Sequence, residues 1–154
     1  MIVFGGFENN VRVNTIQVYS FEDQRWSFPE NDIGDPIPEP RSGHSSVVFR
    51  NKLYIFGGTN RENQRIADTW IYDLINMVWE QVTTKQTFIV PPRSGHSATV
   101  FKHYMVVFGG MLSVTKEIDD TCAFNFLTKE WIQVFGESKT RVSAKLAVQS
   151  DLTG

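Results

Sequence analysis

The sequence predicts an all-β chain of about three repeated units, each with four antiparallel strands. First, residues 40–45 (Pro-Arg-Ser-Gly-His-Ser) return unchanged at residues 92–97. Second, Phe-Gly-Gly follows each hexapeptide at the same distance, at 56–58 and at 108–110. Third, no stretch of the chain has sustained helical periodicity. A hexapeptide and a tripeptide that keep one spacing indicate duplicated structural units.

The strands follow from the pattern within each unit. The hexapeptide leads into small and then β-branched residues, which is typical of a strand, and a short turn at Asn51 begins the next. Gly57 and Gly58 end the second strand, because glycine tolerates backbone angles outside the extended region. A third strand follows, and Trp79 opens the fourth. The predicted strands are 44–49, 52–56, 68–73 and 79–82 in one unit, and 96–101, 105–108, 121–125 and 131–134 in the next.

This pattern resembles the Kelch repeat, in which each unit is one blade of a β-propeller. In that repeat Arg and His open the first strand, two glycines end the second, a Tyr or Phe lies in the third and a Trp opens the fourth. The long spacing and the Pro-Arg-Ser-Gly-His opening are most similar to the Kelch subgroup of leucine-zipper-like regulators and Rab-effector-type propellers. The matching residues are Gly5, Gly6, Tyr19 and Trp26; Arg41, His44, Gly57, Gly58, Tyr72 and Trp79; and Arg93, His96, Gly109, Gly110, Phe124 and Trp131.

The two ends of the chain depart from the repeat. Residues 1–4 match residues 53–56, so the first unit begins in its second strand. Thr140 to Ala144 looks like an altered first strand in which Ala144 takes the place of the histidine. The predicted divisions are 1–39 for a blade without its first strand, 40–91 and 92–139 for two blades, and 140–154 for the altered first strand of a further blade or a ring-closing strand.

Three blades are fewer than the roughly four to eight that close a propeller. Three explanations stay open. The chain is a segment of a longer Kelch protein, or two copies join into a six-bladed ring, or another chain completes an open half-propeller. Each explanation requires that something covers an apolar face of a terminal blade.

Most of the repeated residues have structural explanations. The glycine pairs are backbone devices, and Trp26, Trp79 and Trp131 are expected to fill the space between blades. His44 and His96 occupy equivalent positions of separate blades, so we expect structural hydrogen bonds. A metal site would need a third ligand, and none is predicted.

Composition limits the classes of function. Fifteen basic and 17 acidic residues leave a net charge of −2, which argues against a protein that grips nucleic acid or an anionic membrane. No apolar run approaches the roughly 18 residues of a membrane span, and residues 1–8 do not form a secretory signal. The single cysteine, Cys122, excludes an intrachain disulfide and favours a reducing, cytoplasmic setting.

No constellation of residues predicts catalysis or cofactor binding. The glycine pairs end strands instead of opening helices, so they do not form a phosphate-binding loop, and no nucleophile and base are visible. We therefore expect no enzyme activity and no cofactor. The expected function is a protein-interaction scaffold. The alternative is a propeller segment of a Kelch-containing enzyme, or the substrate-recruiting domain of a ubiquitin-ligase adaptor or of a phosphatase-linked protein.

The order of the strands within a blade predicts which loops share an end, and therefore where a partner would bind. In an antiparallel four-stranded blade, the loops after the second and fourth strands lie at one end. These loops are long and polar here, and such loops on rigid scaffolds often carry binding sites. Arginine is a favoured interface anchor, so an acidic peptide segment is the expected ligand, although the two arginines that open first strands can instead brace neighbouring blades. The candidate partner-binding residues are Arg12, Arg41, Arg61, Arg65 and Arg93.

Overall fold

A computed structural model describes residues 1–29, 36–83 and 87–135 of the chain. Within these ranges every regular element is a β-strand. None of the described residues belongs to a helix of the length and hydropathy that a membrane span requires. The strands are β1 (Ile2–Phe4), β2 (Phe7–Glu8), β3 (Val11–Arg12), β4 (Ile16–Ser20), β5 (Arg25–Ser27), β6 (Ser45–Phe49), β7 (Lys52–Phe56), β8 (Thr69–Asp73), β9 (Trp79–Gln81), β10 (Ser97–Phe101), β11 (Tyr104–Phe108), β12 (Met111–Ser113), β13 (Lys116–Glu117), β14 (Thr121–Asn125) and β15 (Glu130–Phe135).

The main strands form three antiparallel sheets, which we call the first, second and third units. Their strand orders are β1-β4-β5, β6-β7-β8-β9 and β10-β11-β14-β15. The register repeats: Ser45 pairs with Phe56 in the second unit, as Ser97 pairs with Phe108 in the third. The predicted all-β class and four-stranded antiparallel sheets are therefore confirmed. Strand ends in the second and third units differ from the predicted ones by at most one residue.

In the described part of the chain, the first unit has three strands, and β1 is at its edge. The predicted altered first strand at 140–144, and the whole of the predicted segment 140–154, lie outside the described residues.

Two of the long loops contain small hairpins that the sequence reading did not predict. Strands β2 and β3 pair in the first unit, and β12 and β13 pair in the third. Asn9 and Asn10 form the turn of the first hairpin with φ values of 48° and 63°. Asparagine tolerates this left-handed region, and two such residues between short strands are a recognised hairpin signal.

The apolar core lies between adjacent units. One cluster joins the second and third units and contains Phe56, Met105 and Trp131, all of them buried. A second cluster joins the first and second units and contains Phe4 and Trp79. Because a single sheet of this size cannot cover both of its faces, each unit depends on its neighbours for burial. This packing places the long loops of neighbouring units side by side.

Candidate functional site

The long loops lie together at one end of the sheets, which we call the long-loop face. In the second unit, the β7–β8 connection and the chain leading into β6 are at this end, and an antiparallel bridge joins Ser42 to Thr59. The third unit repeats the arrangement with a bridge between Ser94 and Met111. The tight β6–β7 and β8–β9 turns lie at the opposite end, as antiparallel pairing requires.

Arg41 and Arg93 are at the long-loop face but have no exposed surface. Arg93 donates from Nη1 to Asp120 Oδ1 at 2.5 Å and from Nη2 to Asp120 Oδ2 at 2.8 Å. Arg41 makes the same two-pronged contact with Asp68, at 2.6 and 2.8 Å. Each Nη1 also donates to the carbonyl of the first glycine of its own unit, Gly57 or Gly109, at 3.1 Å. A forked guanidinium satisfies all of these acceptors at once.

The burial of Arg41 and Arg93 corrects their prediction as partner-binding residues. A guanidinium with 0% exposure cannot reach a partner in this arrangement. Instead each residue joins two units. Its backbone carbonyl accepts from the second glycine of the preceding unit, Gly6 or Gly58, at 2.8 Å, while its side chain holds an aspartate of its own unit. The structural alternative is the one that the geometry favours.

The other three candidate arginines gather where the first and second units meet. Arg12 lies on β3, and it donates from Nε to Ser42 Oγ and from Nη1 to Asn63 Oδ1, both at 2.9 Å. Arg61 donates from Nε to the carbonyl of Arg12 at 3.3 Å. Arg65 donates from Nη1 to the carbonyl of Asn63 at 3.4 Å. We call Arg12, Arg61 and Arg65 the arginine cluster.

The arginine cluster has no carboxylate partner among the described residues. Every ion pair found within ranges 1–29, 36–83 and 87–135 involves other basic residues. Phe7, which is exposed, lies beside the cluster, with the guanidinium carbon of Arg12 4.9 Å from its ring centroid. Asn63 belongs to one of the long polar loops that the sequence predicts, but its contact with Arg12 joins two units and no local signal marks it. Phe7 is not among the predicted residues; it pairs with Arg12 within the β2–β3 hairpin.

His44 and His96 lie inside the interfaces between units. The ring of His44 meets Phe4 of the first unit edge-on at 5.3 Å, and His96 meets Phe56 of the second unit at 5.2 Å. His96 Nε2 is 2.8 Å from Ser45 Oγ. Burial, with the nearby charge of Arg41 or Arg93, lowers the pKa of each histidine to about 4. Both rings are therefore neutral at pH 7.

The two glycines of each pair have different neighbours. A methyl group on Gly57 would lie 2.8 Å from the carbonyl oxygen of Arg93 in the next unit. On Gly58 it would lie 2.9 Å from Cβ of His44 in the same unit. The missing side chain of the first glycine thus lets the next unit approach closely. The missing side chain of the second lets the residues before the first strand of its own unit do the same. Because the described first unit has no such strand, a methyl group on Gly6 would meet nothing within 4 Å.

Comparison with known proteins matches the chain to one family. The chain matches the KLHDC2/KLHL20/DRC7 Kelch-repeats domain over residues 1–150. The chain belongs to the Kelch-repeat family. It is 37% identical over 121 residues to the Rab9 effector protein with kelch motifs of Mus musculus, which covers 77% of this chain and 31% of that protein.

Two further relatives extend this Kelch comparison. The putative protein tag-53 of Caenorhabditis elegans is 32% identical over 135 residues, covering 81% of this chain and 10% of that protein. An F-box/kelch-repeat protein of Arabidopsis thaliana is 30% identical over 149 residues, covering 88% of this chain and 31% of that protein. The Kelch chain therefore spans between about a tenth and a third of the length of these relatives.

The Kelch tryptophans show how the interfaces differ. Trp131 packs on Phe56 of the second unit at 4.4 Å and donates from Nε1 to Thr69 Oγ1 at 3.0 Å. Trp79 packs on Phe4 of the first unit at 5.2 Å, but no acceptor faces its Nε1 among the described residues. Trp26 contacts Tyr19 and is 44% exposed. No other unit covers Trp26 among the described residues, so its expected place between units stays a prediction.

Two observations concern metal ligands and the cysteine nucleophile in the described part of the Kelch chain. No group of three or more His, Cys, Asp or Glu side chains within it is placed to hold a metal ion. Cys122 is fully buried, and burial raises the pKa of its thiol to about 12. A thiol with that pKa is protonated at neutral pH and is a poor nucleophile.

Proposed function

We propose that the chain is a non-catalytic protein-binding scaffold whose partner docks on the long-loop face at the arginine cluster. One contrast carries this proposal. Arg41 and Arg93 have carboxylate partners and no exposure, whereas Arg12, Arg61 and Arg65 have no carboxylate partner among the described residues. Three guanidinium groups that are held at one place, with no ion pair to any described carboxylate, favour an anionic ligand.

The geometry favours an acidic peptide segment as that ligand. Arg12 uses Nε and Nη1 to hold Ser42 and Asn63, so its side chain is fixed across two units. Arg61 is exposed and makes a single long contact, so most of its N–H groups remain available to a carboxylate. Fixing a side chain before binding lowers the entropy cost of binding. Phe7 adds exposed apolar surface beside the charges, as interface anchors commonly have.

The names of the relatives also support a protein partner. One is described as an effector of Rab9, and an effector acts through another protein. Rigid units that carry long loops at one face suit such binding, because the sheets fix the loop positions while the loop sequences vary. The identity of the partner is a matter for experiment, since this chain spans only part of its relatives.

The proposal predicts that acidic peptides bind through Arg61. The test selects a randomised 12-residue peptide library on the immobilised chain and then measures the Kd of enriched peptides by fluorescence anisotropy. We expect enrichment in Asp and Glu, and a Kd that rises at least about fivefold in Arg61→Ala, since interface anchors typically contribute more than about 1 kcal/mol. Arg12→Ala should weaken binding similarly.

The matched control is Arg25→Ala. Arg25 is also exposed, but it lies at the start of β5, at the opposite end of the sheets. Its replacement should leave the Kd unchanged. The proposal is wrong if Arg25→Ala weakens the selected peptides and Arg61→Ala does not, or if the enriched peptides carry no acidic residues.

A further inference from the structure

The two interfaces between units differ in one buried hydrogen bond. We call the contact between the first and second units the first interface, and the contact between the second and third units the second interface. In the second interface, Trp131 Nε1 donates to Thr69 Oγ1 at 3.0 Å. In the first interface, Trp79 Nε1 is buried and has no acceptor among the described residues. A buried donor without an acceptor gives up its bond to water and gains nothing in return, so it weakens the first interface.

A single difference between equivalent residues causes this loss. Thr69 pairs with Phe56 at the start of β8, and Ile16 pairs with Phe4 at the start of β4. Both Thr69 and Ile16 are 4% exposed, but an isoleucine side chain has no atom that accepts a hydrogen bond. The position that accepts from the tryptophan in the second interface is therefore apolar in the first.

The second interface has further contacts near the tight turns. Phe49 of the second unit stacks on Phe126 of the third unit, with their ring centroids 4.4 Å apart. Lys129 of the third unit forms an ion pair with Glu80 of the second. These contacts hold the second interface at the end of the sheets that lies away from the long loops.

The first interface is held differently. No ion pair joins the first and second units within residues 1–29, 36–83 and 87–135. Instead, Arg12 of the first unit donates to Ser42 and Asn63 of the second, both at 2.9 Å. The side chains of the arginine cluster therefore contribute to closing the first interface.

We propose that the first interface opens locally more often than the second, and that a ligand held by the arginine cluster keeps it closed. The ligand is the acidic peptide segment of the proposed function, on which this second part rests. Arg12 belongs to the first unit, whereas Arg61 and Arg65 belong to the second, so the cluster is assembled only while the first interface is closed. A ligand that contacts both units binds the closed form, and it therefore shifts the equilibrium toward that form.

Two glycine N–H groups report the two interfaces separately. Gly6 N–H donates to the carbonyl of Arg41 across the first interface, and Gly58 N–H donates to the carbonyl of Arg93 across the second, both at 2.8 Å. Each follows another glycine, so their exchange rates in the unfolded chain are nearly equal. Amide hydrogen exchange, measured by NMR in the whole chain, therefore compares the two openings directly. We expect Gly6 to exchange at least about fivefold faster than Gly58, which is the effect of about one net hydrogen bond.

Substitutions at residue 16 test the cause of this difference. Ile16→Thr supplies an acceptor for Trp79 Nε1, and Ile16→Val is the matched control, because valine has nearly the shape of threonine without the hydroxyl group. Gly6 should exchange at least about fivefold more slowly in Ile16→Thr than in Ile16→Val, with no change at Gly58. Thr69→Val should speed exchange at Gly58 instead. A buried hydroxyl group without a partner is destabilising, so equal or faster exchange at Gly6 in Ile16→Thr would overturn the proposal.

The contribution of the arginine cluster is measured with and without a ligand. Without one, Arg12→Ala should speed exchange at Gly6 at least about threefold, because two hydrogen bonds across the first interface are lost. Arg25→Ala, at the opposite end of the sheets, should change neither glycine. An acidic peptide from the selection above, added at ten times its Kd, should slow exchange at Gly6 about tenfold and leave Gly58 unchanged, because closure is favoured by the factor 1 + [L]/Kd.

The outcomes separate the opening of the first interface from the proposed function. Peptide binding that leaves the Gly6 rate unchanged would overturn closure by the ligand, while the proposed function would stand. If no acidic peptide binds, the proposed function fails and closure by the ligand fails with it. The comparison of Ile16→Thr with Ile16→Val still supports or overturns the weaker first interface in that case. Exchange at Gly6 as slow as at Gly58 in the unaltered chain would also overturn it.

Discussion

The paired Arg41–Asp68 and Arg93–Asp120 contacts show how one residue type takes two roles in this chain. The guanidinium group is exposed at Arg61, whereas at Arg93 it is fully buried and paired with Asp120. The difference is the aspartate just before the third strand of the second and third units, which neutralises the charge and binds both Nη groups of the guanidinium. Removing such an aspartate leaves an uncompensated buried charge.

We therefore predict a large loss of stability in Asp120→Asn. The side chain of Asp120 is 4% exposed, so breaking its pair with Arg93 should cost about 3–5 kcal/mol of the free energy of unfolding. The side chain of Asp68 is 23% exposed, and solvent screens part of its charge, so Asp68→Asn should cost less. Urea unfolding of both variants measures the difference. Equal losses would show that burial does not set the strength of these pairs.

The packing of strands on one another explains why the second position of each glycine pair has no side chain. Gly58 and Gly6 are equivalent second glycines, with φ values of 104° and 93°. The first strand of the second unit packs directly on Gly58, whereas no described strand covers Gly6. An added side chain therefore costs the same backbone strain at both positions, and only at Gly58 does it also contact neighbouring atoms.

Gly6→Ala and Gly58→Ala form a matched pair that separates the two costs. Gly6→Ala should lower the free energy of unfolding by about 1–2 kcal/mol, the cost of a side chain at positive φ. Gly58→Ala should cost at least about 2 kcal/mol more, because its methyl group would lie 2.9 Å from Ser42 O and from His44 Cβ. Chemical denaturation of both variants is the measurement. A Gly6→Ala loss as large as that of Gly58→Ala would contradict this account.

For the whole molecule, stability depends on the interfaces between units, and His44 and His96 both lie there. Burial, with the charge of Arg41 beside His44 and of Arg93 beside His96, lowers each pKa from 6.5 to about 4. Between these two pH values the unfolded chain binds more protons than the folded chain. Stability is therefore full above pH 6.5 and falls as the pH drops toward 4.

We predict that each histidine contributes on the order of 1–3 kcal/mol to this loss. Urea unfolding at pH 7 and pH 5 should show the decrease, and His96→Gln should remove about half of the pH dependence while keeping an N–H near Ser45. Asp73 does not interfere, because hydrogen bonds from the N–H groups of Asn76 and Ile75 hold its pKa at about 2. An unchanged pH dependence in His96→Gln would exclude this histidine as a cause.

Local sequence predicted the regular parts of the fold because strand pairing here is sequential. Each strand pairs with the next main strand along the chain, so alternation and turn residues determine the sheets. The repeated hexapeptide, the glycine pairs and the opening tryptophans identify the units and the Kelch family from local sequence. The same local signals carry no information about which side chains meet between units.

Contacts between side chains that lie far apart in the sequence were decided by the tertiary structure alone. Five arginines shared one predicted face, but only packing shows that aspartates 27 residues away bury Arg41 and Arg93. Packing also brings Arg12 to Asn63, 51 residues along the chain. The physical reason is that burial and charge compensation depend on distances in space. A repeated motif specifies one unit, whereas the partner of each side chain depends on which unit lies beside it.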